Sequence, residues 1–248
     1  MASHWWSTTN AEGVDYAAIP VELSGDSTLA EFYEQGQCVG RFTLPLPGLH
    51  NLSNATAAVA ACRMHGVSFA ELRQAVESLQ APGRRFDYRG TWAERQVVDD
   101  YAHHPSEVGA TLATAQLMVS SGRSPLPEVP QRVLAVFQPH RYSRTAEFLE
   151  PFAAALGQAD EVLLAPLYAA GEAPIAGISS HALGAAIQRL RPELTVTVAD
   201  SLEDLADAVA QRSLPGDLVL AMGAGDVNGL WGRLQNREDP LAMFPLAA

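Results

Sequence analysis

Apolar and polar positions along the chain fall into two regimes. Residues 14 to 46 alternate in short runs, "VDYAAIPVEL", "AEFYEQG" and "QCVGRFTLPLPG", separated by Gly25-Asp26-Ser27 and closed by Pro45 and Pro47. Such runs predict β-strands joined by turns. "NLSNATAAVAACRMHG" is alanine-rich and predicts a helix from Asn51 to His65 that stops at Gly66. Ser68, with Glu71 three residues on, predicts a capped second helix reaching about Leu79. The pattern breaks at "QAPGRR", where Pro82-Gly83 marks a domain boundary.

Beyond the break, strand and helix periods alternate. Strands are predicted over Phe86–Trp92 and Gln96–Asp100, then a helix from Ser106 to Ser121. "RVLAVFQP" predicts a buried strand, followed by a helix over Thr145–Leu156 and a strand over Glu161–Tyr168. A helix over Ser180–Leu190, a strand in "TVTVA", a helix over Leu202–Gln211 and a strand in "DLVLAMGAG" complete the series. This alternation predicts an α/β fold with a doubly wound, mostly parallel sheet. Ligands of such sheets lie beyond the carboxyl ends of the strands. Those ends carry Asp99-Asp100-Tyr101, Gln138-Pro139-His140-Arg141, Tyr168 and Gly223-Ala224-Gly225-Asp226. Four polar ends on one rim predict one site.

Composition narrows the partners. The chain has 248 residues, 48% hydrophobic and 18% charged, enough for one large or two ordinary domains. A net charge of −12 argues against nucleic acid and against an anionic membrane surface, but not against a small anion held by a few arginines. All 16 basic side chains are arginines, so the chain offers no lysine to a phosphate loop or a Schiff base. Cys38 and Cys62 have neither the number nor the spacing of a disulfide framework or a thiolate metal site, which fits a reducing cytoplasm. No apolar stretch is long enough to cross a membrane, and the first residues lack a signal-peptide pattern.

The chemistry concentrates in four places. "PHRYSRT" sets Arg141 and Arg144 between a strand and a helix, where guanidinium forks and free helix N–H groups favour an anion; a solvated capping loop is the plain alternative. "DDYAHHP" brings Asp100, Tyr101, His103 and His104 together. Its spacing does not suit a shared metal, so the choices are a nucleotide or reacting-group contact by Asp100 with a histidine, or a helix start at Pro105-Ser106. "MGAGDVNG" is a glycine-rich turn, weak as a phosphate cradle. "GLHNLSN" places His50, Asn51 and Asn54 at a helix start, where the amides can read an adenine edge or cap the helix.

In this order, "LPGLHNLSNATAAVAA", "PGRRFDYRG", "VVDDYAHHPSEVGATL", "VFQPHRYSRT", "LYAAGE" and "GAGD" resemble the Mur ligases, and among them the alanine-adding branch, over about residues 12 to 235. The resemblance implies that residues 1–83 are the last part of a central ATP-binding domain and residues 84–248 a Rossmann-like C-terminal domain. It implies that a phosphate loop, most magnesium ligands and a UDP-binding domain belong to an amino-terminal portion of the same enzyme. It implies ATP-dependent joining of L-alanine to UDP-N-acetylmuramate through an acyl phosphate, with ATP and Mg2+ as cofactors, and a chain inactive alone. By motif, His50, Asn51 and Asn54 become adenine-side contacts, and Arg85 and Asp100 nucleotide contacts. Tyr101, His103 or His104, and Arg141 or Arg144 become the amino-acid side, with Glu172 and Asp226 as lesser candidates. Leu49 stands where the family motif often has arginine. Two other readings remain, a metal-dependent hydrolase and a non-catalytic nucleotide or amino-acid binding module.

Overall fold

In the computed structural model, residues 3–238 are described, and they separate into two units. Among the described residues, the first comprises 3–81 with the segment Leu117–Pro125, and the second Pro82–Gln116 with residues 126–238. Each has its own sheet.

The first unit carries a four-stranded sheet in the order β1 (Trp6–Ser7), β2 (Tyr16–Leu23), β3 (Thr28–Glu34), β4 (Gln37–Leu44). β1 runs parallel to β2, and β2, β3 and β4 form an antiparallel meander. One face of the sheet buries Ala18, Ala30, Phe32, Phe42 and Leu44 with Leu52, Ala55 and Val59 of α1 (Leu49–Met64) and Val76 of α2 (Phe69–Glu77). Ser68 caps α2, and the reciprocal bond from the Ser68 backbone to Glu71 completes the capping box the sequence predicts. Phe69 lies flat against Phe32, ring centroids 5.4 Å apart. Gly40 makes room for this ring: a Cβ there would stand 2.7 Å from Phe69 Cε1.

The second unit holds a six-stranded sheet in the order β5, β6, β10, β7, β8, β9. The strands are β5 (Asp87–Trp92), β6 (Arg95–Asp100), β7 (Arg132–Phe137), β8 (Glu161–Leu164), β9 (Val196–Val198) and β10 (Asp217–Met222). Only the β5–β6 hairpin is antiparallel. Every residue of β6, β8 and β10 is buried, as expected of strands covered on both faces. α7 (Leu202–Arg212) and α8 (Leu230–Gln235) pack Leu205, Ala206, Val209, Leu230 and Leu234 on the face that presents Leu134, Val136, Leu163 and Val219. α3 (Pro105–Ser121), α5 (Leu149–Leu156) and α6 (Ser180–Leu190) serve the opposite face, where Phe152 meets Phe137 and Gly184 lies close to Leu164. The α/β class and the mostly parallel sheet are as the sequence predicts.

Two boundaries differ by several residues, and one turn carries no turn signature. The helix expected at Thr145 starts earlier, as α4 (Tyr142–Glu147), and breaks at Phe148 before α5. Pro151 explains the break, since it has no N–H for the Glu147 carbonyl and its ring would crowd that oxygen. The strand expected to reach Tyr168 stops at Leu164: the Ala165 N–H makes one more bond, to the Phe137 carbonyl, and Pro166 cannot continue the ladder. The β5–β6 turn uses Ala93 and Glu94, both with positive φ (47° and 63°), so it lacks the Asn-Gly signature that would have marked it.

Candidate functional site

The carboxyl ends of β6, β10, β7 and β8 lie side by side, and in the second unit they gather most of the predicted residues. Asp100, the last residue of β6, is only 6% exposed. Its Oδ2 accepts the Phe86 N–H at 2.8 Å and its Oδ1 the Ala102 N–H at 2.7 Å. Burial raises its pKa above the usual aspartate range, and these two bonds with the Arg85 charge only partly offset that. The neighbouring Asp99 is held by Arg84 Nε at 3.0 Å. Arg84 also donates to the Gly223 carbonyl at 2.9 Å and lies over the Tyr101 ring, 4.7 Å from its centroid. Arg85 is exposed and makes no side-chain hydrogen bond among the described residues, so its fork is free for an anion. Arg84 and Phe86 are both left-handed, with φ 57° and 50°, the sort of backbone strain that concentrates at binding sites.

The "AHHPSE" turn is pinned by Glu107, whose Oε2 accepts the backbone N–H groups of His103 (3.0 Å) and His104 (3.2 Å) in the first turn of α3. Burial pushes the Glu107 carboxyl up, but these bonds and the nearby His103 and Arg85 charges outweigh it and hold the carboxyl below its usual range. His103 Nδ1 is 2.8 Å from the Tyr101 carbonyl. His104 Nδ1 is 2.8 Å from Ser106 Oγ, and its ring packs edge-on against Phe148. Glu107 Oε2 also lies 3.5 Å from His103 Nδ1, whereas Asp99 and Asp100 turn to Arg84 and to backbone N–H groups rather than to the imidazoles. Among the described residues no group of three or more His, Cys, Asp or Glu could hold a metal ion.

The wall opposite comes from the loop after β7. His140 stacks on Tyr168 (centroids 5.5 Å apart, 10° between planes), and its edge meets His103 at 6.2 Å. Together with the Tyr101–His103 contact at 5.1 Å, this makes a row Tyr101–His103–His140–Tyr168 across three strand ends. Burial, then the charges of Arg144, His103 and Arg141, hold His140 below the ordinary histidine value. Arg141 has φ 72°, fixed by its N–H to the Tyr168 carbonyl (2.8 Å) and by Thr145, which bonds its carbonyl. The Arg141 guanidinium is 4.0 Å from Glu172, which accepts from the Ser143 N–H and hydroxyl. Those bonds place Glu172 below the usual carboxylate range. Arg144 Nη1 is buried and has no hydrogen-bond partner among the described residues. A buried guanidinium nitrogen without a partner is costly unless a ligand oxygen completes it.

Gln138, 2% exposed, knits the floor. Its amide donates to Asp226 Oδ1 at 2.7 Å, and its carbonyl accepts the Val227 N–H at 3.1 Å. A Cβ on Gly225 would stand 2.4 Å from Gln138 Oε1, so this glycine is required for close approach. His50, Asn51 and Asn54 lie in the first unit, in the first turns of α1. The Asn51 side chain donates to the Pro47 carbonyl at 2.8 Å, and Asn54 is exposed. Sequence reasoning set Gln138 and His140 on the polar rim and Glu107 at a helix start, but gave none of the three a role of its own. The spacing of Glu107 from His104 was a signal for a cap; the strand-end position of Gln138 was legible, but its bonds to Asp226 and Val227, 88 and 89 residues on, were not.

These features define a class: a doubly wound α/β domain whose strand ends gather arginines, histidines and buried carboxylates on one rim. Residues 84–225 match the Mur ligase, glutamate ligase domain. The chain belongs to the Mur ligase family. It is 64% identical over 230 residues to the UDP-N-acetylmuramate–L-alanine ligase of Parasynechococcus marenigrum, covering 93% of this chain and 49% of that protein. The ligase of that name from Prochlorococcus marinus strain MIT 9303 is 62% identical over 247 residues, all of this chain and 51% of its own length. The chain thus spans about half the length of the curated relatives it matches. Among solved structures it resembles UDP-N-acetylmuramate-alanine ligase from Thermotoga maritima, with a TM-score of 0.72 at 25% identity over 91% of this chain and 46% of that one.

Proposed function

We propose that this chain is the carboxy-terminal part of an ATP-dependent ligase that joins L-alanine to UDP-N-acetylmuramate in peptidoglycan precursor synthesis. Residues 1–83 are read as the end of the central ATP-binding domain and residues 84–248 as the C-terminal domain. One observation carries the reading: a partnerless arginine nitrogen, on Arg144, beside His140 and His103 at the strand ends of a domain whose relatives bear that ligase name.

The reaction so read has two stages. ATP converts the muramyl carboxylate to an acyl phosphate, and the alanine amine then displaces phosphate. Arg85 and Asp100 serve the nucleotide, with His50, Asn51 and Asn54 on the adenine side. Asp100 contributes by accepting the N–H groups of Phe86 and Ala102, which shape the backbone around Arg85. Arg144 and Arg141 bind the alanine carboxylate as guanidinium forks, which fixes the amine toward the reacting carbon. Tyr101 and His103 line the amine side. Glu172 orients Arg141, and Asp226 the Gln138 floor. Magnesium bound with ATP would neutralise the transferring phosphate, and no ligand for it is assigned to this chain. The proposed setting is the cytoplasm, where ATP is available.

Amide and side-chain NMR of the isolated chain tests the assignment of faces. L-alanine at millimolar concentration is expected to shift Tyr101, His103 and the Arg141 and Arg144 side chains, and ADP to shift Arg85 and Asp100. Alanine shifts confined to other surfaces would sink the reading.

A further inference from the structure

The two histidines of the "AHHP" turn are chemically unlike, and hydrogen bonding makes them so. His103 Nδ1 faces the Tyr101 carbonyl oxygen at 2.8 Å, with the Glu107 carboxylate at 3.5 Å. Both neighbours only accept, so Nδ1 carries the proton and the Nε2 lone pair is left open. His104 is the reverse. Its Nδ1 receives the Ser106 backbone N–H at 3.3 Å, a group that only donates, and the Ser106 hydroxyl lies 2.8 Å away. His104 Nδ1 is therefore the acceptor, its proton sits on Nε2, and its ring is set against Phe148.

We propose that His103, and not His104, is the proton acceptor for the incoming amine, acting through Nε2, while His104 works as the cap of α3. The proposal rests on the ligase reading above. The His103 ring borders His140, whose surroundings include Arg144 and Arg141. The carboxylate and nitrogen of an α-amino acid share one carbon, so groups flanking a single imidazole can hold both. Tyr101 and Glu107 orient the base and stabilise its imidazolium, the role a third group plays beside a catalytic histidine.

The protons balance as follows. The alanine ammonium gives one proton to His103 Nε2, and its freed lone pair attacks the acyl carbon. The C–O bond to phosphate breaks as the C–N bond forms. The second nitrogen proton leaves with the departing phosphate, and the imidazolium releases its own to solvent. The co-reactant is the acyl phosphate of the first stage.

Two measurements test this. Long-range 15N–1H spectra of the chain in alkaline buffer should show His103 as the Nδ1–H tautomer and His104 as the Nε2–H tautomer. His103 found as Nε2–H overturns the proposal whatever the activity. The second measurement uses this chain joined to the amino-terminal half of a relative, assayed with L-alanine and with hydroxylamine, a nucleophile uncharged at neutral pH. His103→Gln is expected to slow alanine ligation about 10²–10³-fold, the scale of general-base catalysis, and to leave hydroxamate formation within about threefold. Equal loss with both nucleophiles, or alanine ligation kept near wild type, overturns the base assignment and leaves the ligase reading standing. Failure of the wild-type protein to form hydroxamate overturns the ligase reading and this inference with it.

Discussion

At the scale of single residues, a buried carboxyl and a half-buried imidazole report the electrostatics of the site. Asp100 is held above its usual range by burial and pulled back by Phe86, Ala102 and Arg85. Arg85→Met should therefore raise the Asp100 pKa further, a shift readable in carboxyl 13C spectra; an unchanged or lower value would contradict the geometry. His140 is displaced downward by burial and by Arg144, so Arg144→Met should raise its pKa toward the ordinary value, followed by imidazole NMR. The stability consequence has a definite sign. As pH falls through about 6.5 the unfolded chain takes up this proton before the folded one does. The contribution of a neutral His140 is thus full above that pH, declines below it, and levels off once the folded pKa is passed. Residue identities at this scale were legible: Asp100, His103, Arg141 and Arg144 stand out as titratable or cationic groups at strand ends. Their partners were not, because Arg84 reaches Asp99 and Gly223 across sequence separations that no local pattern encodes.

At the scale of elements, the α3 start and the β10 turn hold the site in shape. Glu107→Ala removes the acceptor for two backbone N–H groups and should cost about 1 kcal/mol in urea unfolding, a half-exposed cap being worth less than a buried one. Because the Glu107 pKa is depressed, that stabilisation is present above the ordinary glutamate value and fades as pH falls through the folded one. Wild type and variant should then converge in acid. Gly225→Ala drives a Cβ into Gln138 and the Tyr168 ring. An overpacking cost of about 1–3 kcal/mol is expected, with lost order at Asp226 and Val227 seen in amide spectra. Periodicity showed nearly every element of the second unit, since buried parallel strands and capped helices leave strong local signals. It misjudged the stretch from Tyr142 to Leu156, where Pro151 breaks a helix that the apolar pattern alone would continue. The left-handed turns at Arg84, Ala93 and Arg141 had no glycine to announce them.

At the scale of the whole molecule, the residues singled out by the sequence divide between the two units. Asp100, His103, Arg141 and Arg144 are in the second, and His50, Asn51 and Asn54 in the first. The chain has no lysine, so the proposed reaction depends on a phosphate-binding lysine from elsewhere. The absence of lysine was legible from composition, and the strand-end rim from the α/β alternation. The pairing of β10 between β6 and β7 was not, because strand order in a doubly wound sheet is set by crossovers rather than by local sequence. The most direct measurement mixes this chain with the amino-terminal half of the Parasynechococcus relative and follows UDP-N-acetylmuramate by mass spectrometry in the presence of ATP, magnesium and L-alanine. The account predicts an alanine adduct from the mixture and none from either piece alone. Alanine-dependent ATP turnover by this chain by itself, or a folded mixed complex that makes no adduct, would contradict it.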